Sequence, residues 1–161
     1  SWYTSSNLDD YAEYIDTSVG FCNDRNMASG SSWSSQPSSI IYYAARERLY
    51  TNKSPSLSCT TSDIIFEPVG LITADEVAYA GGVYGSTNQS YYLYNNQVYW
   101  TMSPSNVFSS GSAYVLCVPS SGSLVNNRVD SAYGVRPVIN LKANTKFQGS
   151  GTIDSPFEIA A

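Results

Sequence analysis

From residue 91 onward the chain is a succession of short β-prone runs separated by Ser, Asn and Gly turns, and this limits its fold more than any other feature. Residues 91–94 and 98–102 read as strands around an Asn95-Asn96 turn. Residues 113–118 read as a strand, Ser120-Ser121-Gly122 as a turn, and 124–130 as the returning strand. Residues 134–141 carry the sharpest pattern: Val135, Pro137, Ile139 and Leu141 alternate with Arg136, Val138 and Asn140. Pro137 cannot donate to a ladder, which puts it at a sheet edge or at a strand start. Residues 157–159 form a last short strand.

The first half of the chain carries helical spacing instead. Leu8, Tyr11, Tyr14 and Ile15 fall on one face of a helix over 7–16, with Asp9, Asp10 and Glu13 elsewhere. Ile40, Tyr43, Ala44 and Glu47 repeat at helical intervals over 39–49, with Arg46 and Arg48 in the last turn. After a short apolar strand at 68–72, TADEVAYAGG reads as a helix with a Thr73–Glu76 capping box, ended by Gly81 and Gly82. Helices first and short antiparallel strands later predict a single α+β domain over 1–161 with a meander-like sheet. The abrupt start, SWYTSS, suggests a trimmed N-terminal flank.

Several chemistries are poorly supported. The chain has no His, which removes the commonest general base and every Ser-His or Cys-His dyad. No GxSxG, Walker or GxGxxG motif occurs, and no EF-hand loop. The acids Asp9, Asp10, Glu13 and Asp16 share one predicted helix, where a solvated face is their ordinary role. A hydrolase working through two carboxylates in one cleft remains the enzymatic alternative. The net charge of −5 argues against nucleic acid. No apolar run is long enough to enter a membrane directly. The expectation is therefore a non-enzyme with no cofactor and no metal.

Three cysteines, Cys22, Cys59 and Cys117, cannot all pair. Either Cys22 and Cys59 form a disulfide or all three are buried thiols. The pair is preferred because Cys117 lies inside a stretch of different character. Asp24 and Arg25, in FCNDR, are expected to form a buried ion pair that pins the loop.

That stretch, 105–135, contains no Lys, Glu, Gln, Met or Trp, although the rest of the chain uses all five. It is rich in Ser, Asn, Tyr and Val, the composition of an adaptable contact surface. It leads straight into GVRPVINLK.

The ordered blocks FCNDR, a later Cys, VGLITADEVAYAGG, YYLY, YWTMSP and GVRPVINLK resemble a family of surface proteins from gut-associated Gram-positive bacteria. That family is similar to C-type-lectin-fold domains, of the branch that includes formylglycine-generating-enzyme-like domains. Such domains serve as variable proteins of diversity-generating retroelements, which rewrite adenines near the 3′ end of a gene. Rewriting AAC or AAT codons cannot produce the five residue types absent from 105–135. The resemblance implies a C-type-lectin-like fold and an extracellular, surface-displayed ligand-binding or adhesin domain, carried on a pilus-like or anchored protein. It implies a diversified face over 105–133 formed by Asn106, Phe108, Tyr114, Leu116, Cys117, Ser123, Val125, Asn127, Arg128, Asp130 and Ser131. Frame positions would be Ala113, Val115, Val118, Gly122, Leu124 and Val129. The partner would be a protein or glycan on a host, bacterial or phage surface. A structural pilin-like subunit is the second reading.

Overall fold

The computed structural model describes residues 5–33, 40–152 and 154–160. Among the described residues eleven strands are formed: β1 (Phe21–Cys22), β2 (Ile41–Tyr42), β3 (Ile64–Ile65), β4 (Gly70–Leu71), β5 (Tyr99–Val107), β6 (Ala113–Val118), β7 (Val125–Arg128), β8 (Gly134–Val135), β9 (Pro137–Val138), β10 (Phe147–Gln148) and β11 (Glu158–Ile159). The main sheet runs β2-β5-β6-β7, all antiparallel, with β8 added parallel to the start of β5. Three two-stranded pairs, β1-β3, β4-β9 and β10-β11, flank it. The architecture is mixed α+β, as the order of helical and strand patterns predicts.

The core lies under two short helices. Ala45 and Leu49 from one, Ala74 and Val77 from the other, and Tyr99, Leu116, Val118 and Leu124 from the sheet region form one buried cluster with Tyr91. Ala45, Ala74, Val77, Leu116 and Leu124 are fully buried. The second helix, Ala74–Tyr79, starts as its sequence dictates. The Thr73 hydroxyl accepts from the Glu76 N–H at 3.2 Å, and the Glu76 carboxylate accepts from the Thr73 N–H at 2.7 Å.

Four sequence expectations are corrected by packing. The helix expected over 7–16 is a 3-10 segment, Leu8–Tyr14, with no buried residue. Its face of Leu8, Tyr11 and Tyr14 is not buried, and so short a helix without burial has little to hold it. Only the following residue, Ile15, packs inward, and it bridges Leu141. The helix expected over 39–49 begins later. Residue 39 lies outside the described residues, and Ile41–Tyr42 pair with β5 as a strand. The chain then coils over Ala44–Arg46 and continues as a π-helix over Glu47–Asn52. Its buried stripe is Ala45 and Leu49 rather than Tyr43, Ala44 and Glu47.

The strand expected at 91–94 is a turn, closed by the Tyr94 N–H on the Tyr91 carbonyl at 3.0 Å. Both edges of β5 are already taken near Tyr99 and Trp100, by β6 on one side and β8 on the other, so no edge is free for it. The sharply alternating run 134–141 is divided among three partners. Gly134–Val135 join β5, Pro137–Val138 join β4, and Leu141 bridges Ile15. Arg136 sits at the break: its guanidinium donates to the Leu93 carbonyl and lies 5.3 Å from the centre of the Tyr99 ring. Pro137 opens β9, where its missing donor does no harm.

Cys22 and Cys59 are bonded, tying β1 to the loop before β3. Asp24 pairs not with Arg25, which is exposed, but with Arg48 at 2.8 Å. The same guanidinium spans Asp75 at 2.9 and 2.6 Å. The hydrogen bond to Asp75 holds the Arg48 pKa above its usual range against the opposing effect of burial, with Asp24 adding to it. One arginine therefore joins the disulfide loop, the π-helix and the capped helix.

Candidate binding face

The stretch 105–133 folds into the outer half of the main sheet. β5 turns back through a tight loop in which the Phe108 N–H donates to the Ser112 carbonyl and the Gly111 N–H to the Phe108 carbonyl, each at 2.9 Å. β6 leads to a second turn, closed by the Gly122 N–H on the Pro119 carbonyl at 2.9 Å. Gly122 is the one residue type that fits there. Its φ is +74°, and a Cβ would stand 1.8 Å from the Asn88 carbonyl oxygen. β7 returns beside β6, and the Val129 N–H donates to the Ala113 carbonyl at 3.1 Å.

Strand register separates the expected site residues onto two sides. Asn106 pairs with Tyr114, and Tyr114 with Arg128, forming one row across three strands. Trp100 pairs with Cys117, and Cys117 with Val125, forming another. Because side chains alternate along β6, Tyr114 and Leu116 point to one face while Val115 and Cys117 point to the other. Asn127, opposite Val115, belongs to the second face, where its amide bonds the Tyr133 hydroxyl. The Tyr133 ring in turn packs on Trp100 at 4.7 Å.

Burial then sorts these residues further. Leu116 and Cys117 are 0% and 1% exposed, so neither is a surface contact residue. Leu116 lies where the helices cover the sheet and is part of the core cluster. Asn106 and Ser123 are also buried, at 3% and 5%. The Asn106 side chain accepts from Ser105 at 2.9 Å and from Asn126 at 3.4 Å, a role inside the fold. Phe108, Tyr114, Val125, Asn127 and Ser131 are half-buried, and Arg128 and Asp130 are exposed. Among the expected frame positions, Val118, Gly122 and Leu124 are buried, Ala113 and Val115 partly so, and Val129 is 55% exposed and belongs to the surface.

The accessible residues converge on the sheet tip. Ser110, Gly111, Ser112 and Ala113 face Arg128, Val129 and Asp130 across an open, mainly polar hollow of about 330 Å³. Arg128 and Asp130 pair at 2.6 Å with 55% and 60% of their side chains exposed. Phe108 and Tyr114 meet edge to face at 5.3 Å beside it.

A second group was not singled out by sequence reasoning. Tyr42 pairs with Asn106, so it extends the Asn106–Tyr114–Arg128 row. The Arg46 guanidinium lies 4.4 Å from the Tyr42 ring centre and 4.5 Å from that of Tyr50, and Tyr50 meets Tyr84 edge to face at 5.0 Å. The Tyr84 hydroxyl donates to Asn126 on β7 at 2.6 Å. Arg46 and Tyr50 stand four residues apart on the coil, the spacing that stacks side chains along a helix and the available signal, and Tyr42 meets Arg46 from the end of β2.

The expected acids play other parts. Asp9, Asp10 and Glu13 are exposed on the 3-10 segment. Ser18 bonds to Asp16 lower the pKa of that carboxyl. The two carboxylates that do approach one another, Asp24 and Asp75, share Arg48. Among the described residues no cluster of three or more His, Cys, Asp or Glu is placed to hold a metal ion, and no helix is long and apolar enough to cross a membrane.

No family model, curated protein or solved structure matches this chain.

Proposed function

We propose that this is an extracellular ligand-binding domain of the C-type-lectin-like kind, and that it binds through the tip of its main sheet. The observation that carries this reading is the division of the 105–133 stretch by burial. Leu116, Val118 and Leu124 are sealed into the core, while Arg128, Val129 and Asp130 line an open hollow and the half-buried Phe108 and Tyr114 pack on each other in the strands leading to it. A rigid inner half and a changeable outer half are what a diversified receptor needs. Tyr, Arg and Phe are effective anchors for a protein partner. The Arg128–Asp130 pair is exposed, so it adds little to stability and its groups are free to exchange partners. The Cys22–Cys59 bond supports an oxidising location.

Sequencing the 3′ end of this gene across its source population tests the reading. Substitutions should concentrate in the codons of Phe108, Tyr114, Asn127, Arg128, Asp130 and Ser131, and spare Leu116, Val118, Leu124 and GVRPVINLK. Synonymous drift spread evenly over the gene, or substitutions as frequent at Leu116 as at Arg128, would overturn it.

A further inference from the structure

A sizeable, mainly apolar hollow lies away from the sheet tip, between the π-helix and the segment after the capped helix. Its volume is about 480 Å³, within the range of small-molecule sites. Core residues Leu49 and Leu124 line it, with Tyr50, Tyr84 and Val83 alongside. Such a hollow has value to a ligand only if the ligand brings apolar surface to replace water.

Charge decides which ligand. The chain carries 13 acidic and 8 basic residues, yet no carboxylate lines this pocket. Its lining holds one charged side chain, Lys53, which is exposed and makes no ion pair with a described residue. Lys53 is set at the end of the π-helix in the left-handed conformation, φ +50°, with its N–H bonded to the Arg48 carbonyl. A second cation, Arg46, lies on the ring of Tyr50, a wall of the same pocket. Glu47, the nearest acid on this helix, is turned elsewhere and accepts from the Ser29 N–H at 3.1 Å.

We infer that this pocket binds a small apolar carboxylate, with its hydrocarbon or aromatic body against Leu49, Leu124, Tyr50 and Tyr84 and its anionic end at Lys53. The size favours a free small molecule over a protein surface, and the cation with no acid beside it selects an anion over a neutral or cationic body. Of the lining, only Leu124 falls within 105–133, so the site stands or falls apart from the function proposed for the sheet tip.

The test is a titration of the folded protein with 4-phenylbutyrate and with its neutral analogue 4-phenylbutanamide, followed by backbone amide resonances. The acid should shift the resonances of Lys53, Val83 and Gly85 and bind about ten-fold more tightly than the amide. Lys53→Gln should bring the two to within about two-fold, while Lys53→Arg keeps the preference. Val83→Trp, at a position 52% exposed, should weaken both ligands and leave the fold intact. Arg128→Ala should change neither affinity. Equal binding of acid and amide by the unaltered protein would overturn the charge assignment. The absence of shifts at ~10 mM acid would overturn the pocket itself.

Discussion

Arg48→Met should unfold this domain at a markedly lower temperature, and the size of the loss follows from the geometry. The Arg48 guanidinium makes three hydrogen bonds to two carboxylates whose side chains are 7% and 2% exposed. Removing it leaves two buried anions without a cation. Asp75 keeps one donor, the Ser56 N–H at 2.7 Å, but the other oxygen of Asp24 is already buried without a partner. Breaking a buried pair by deleting one member costs about 3–5 kcal/mol. At roughly 2–4 °C per kcal/mol for a chain of this size, the thermal midpoint should fall by roughly 6–20 °C. Scanning calorimetry reads this directly. The decisive control is the triple variant Arg48→Met, Asp24→Asn, Asp75→Asn, which removes the stranded charges and should regain more than half of the loss. A loss under about 1 kcal/mol, the range of an exposed pair, or a triple variant no more stable than Arg48→Met, would refute the reasoning.

Three further outcomes are expected. The Cys22–Cys59 bond spans 37 residues, and loop-closure entropy assigns it about 3.8 kcal/mol. The double variant Cys22→Ala, Cys59→Ala should accordingly melt well below the oxidised protein, and a midpoint unchanged by full reduction would contradict this. Cys117 is buried, and burial pushes its thiol up to about 12. It should resist a thiol reagent at pH 8 until the protein unfolds, and rapid labelling of the native state would refute its placement. Because the folded value is raised, the neutral thiol favours the fold. That contribution is intact below the ordinary thiol value near 9 and is lost as pH climbs toward 12. Tyr84 and Tyr91, also raised chiefly by burial, act in the same direction. Cys117→Val should flatten the decline across that window.

The parts of the fold legible beforehand were those set by neighbouring residues. The Thr73–Glu76 box needs residues only three positions apart, and it formed as read. The strand over Ala113–Val118 and the turn at Gly122 depend on local β preference and on a φ that Gly alone accepts without strain. The Cys22–Cys59 pair was legible because the third cysteine stood apart in composition. Of the expected contact residues, Arg128 and Asp130 are exposed, near a chain reversal rich in polar residues.

The cysteine pair apart, what failed was decided by partners distant in sequence. Alternation along 134–141 is a true property of that segment, but which strand each pair joins depends on the free edges of β5 and β4. The ion pair of Asp24 went to Arg48, 24 residues away, because the π-helix carries that guanidinium between two buried acids. Leu116 and Cys117 share a strand with Tyr114, so composition alone groups them, but Leu116 is sealed into the core cluster under the helices and Cys117 is buried on the opposite face. Local sequence by itself determined the helix cap, the Gly122 turn and the β preference of 113–118, and cysteine count with composition pointed to the disulfide. Tertiary structure alone decided registers, ion-pair partners and which half of the 105–133 stretch meets solvent, because burial and strand pairing are properties of surfaces that exist only once the chain has closed on itself.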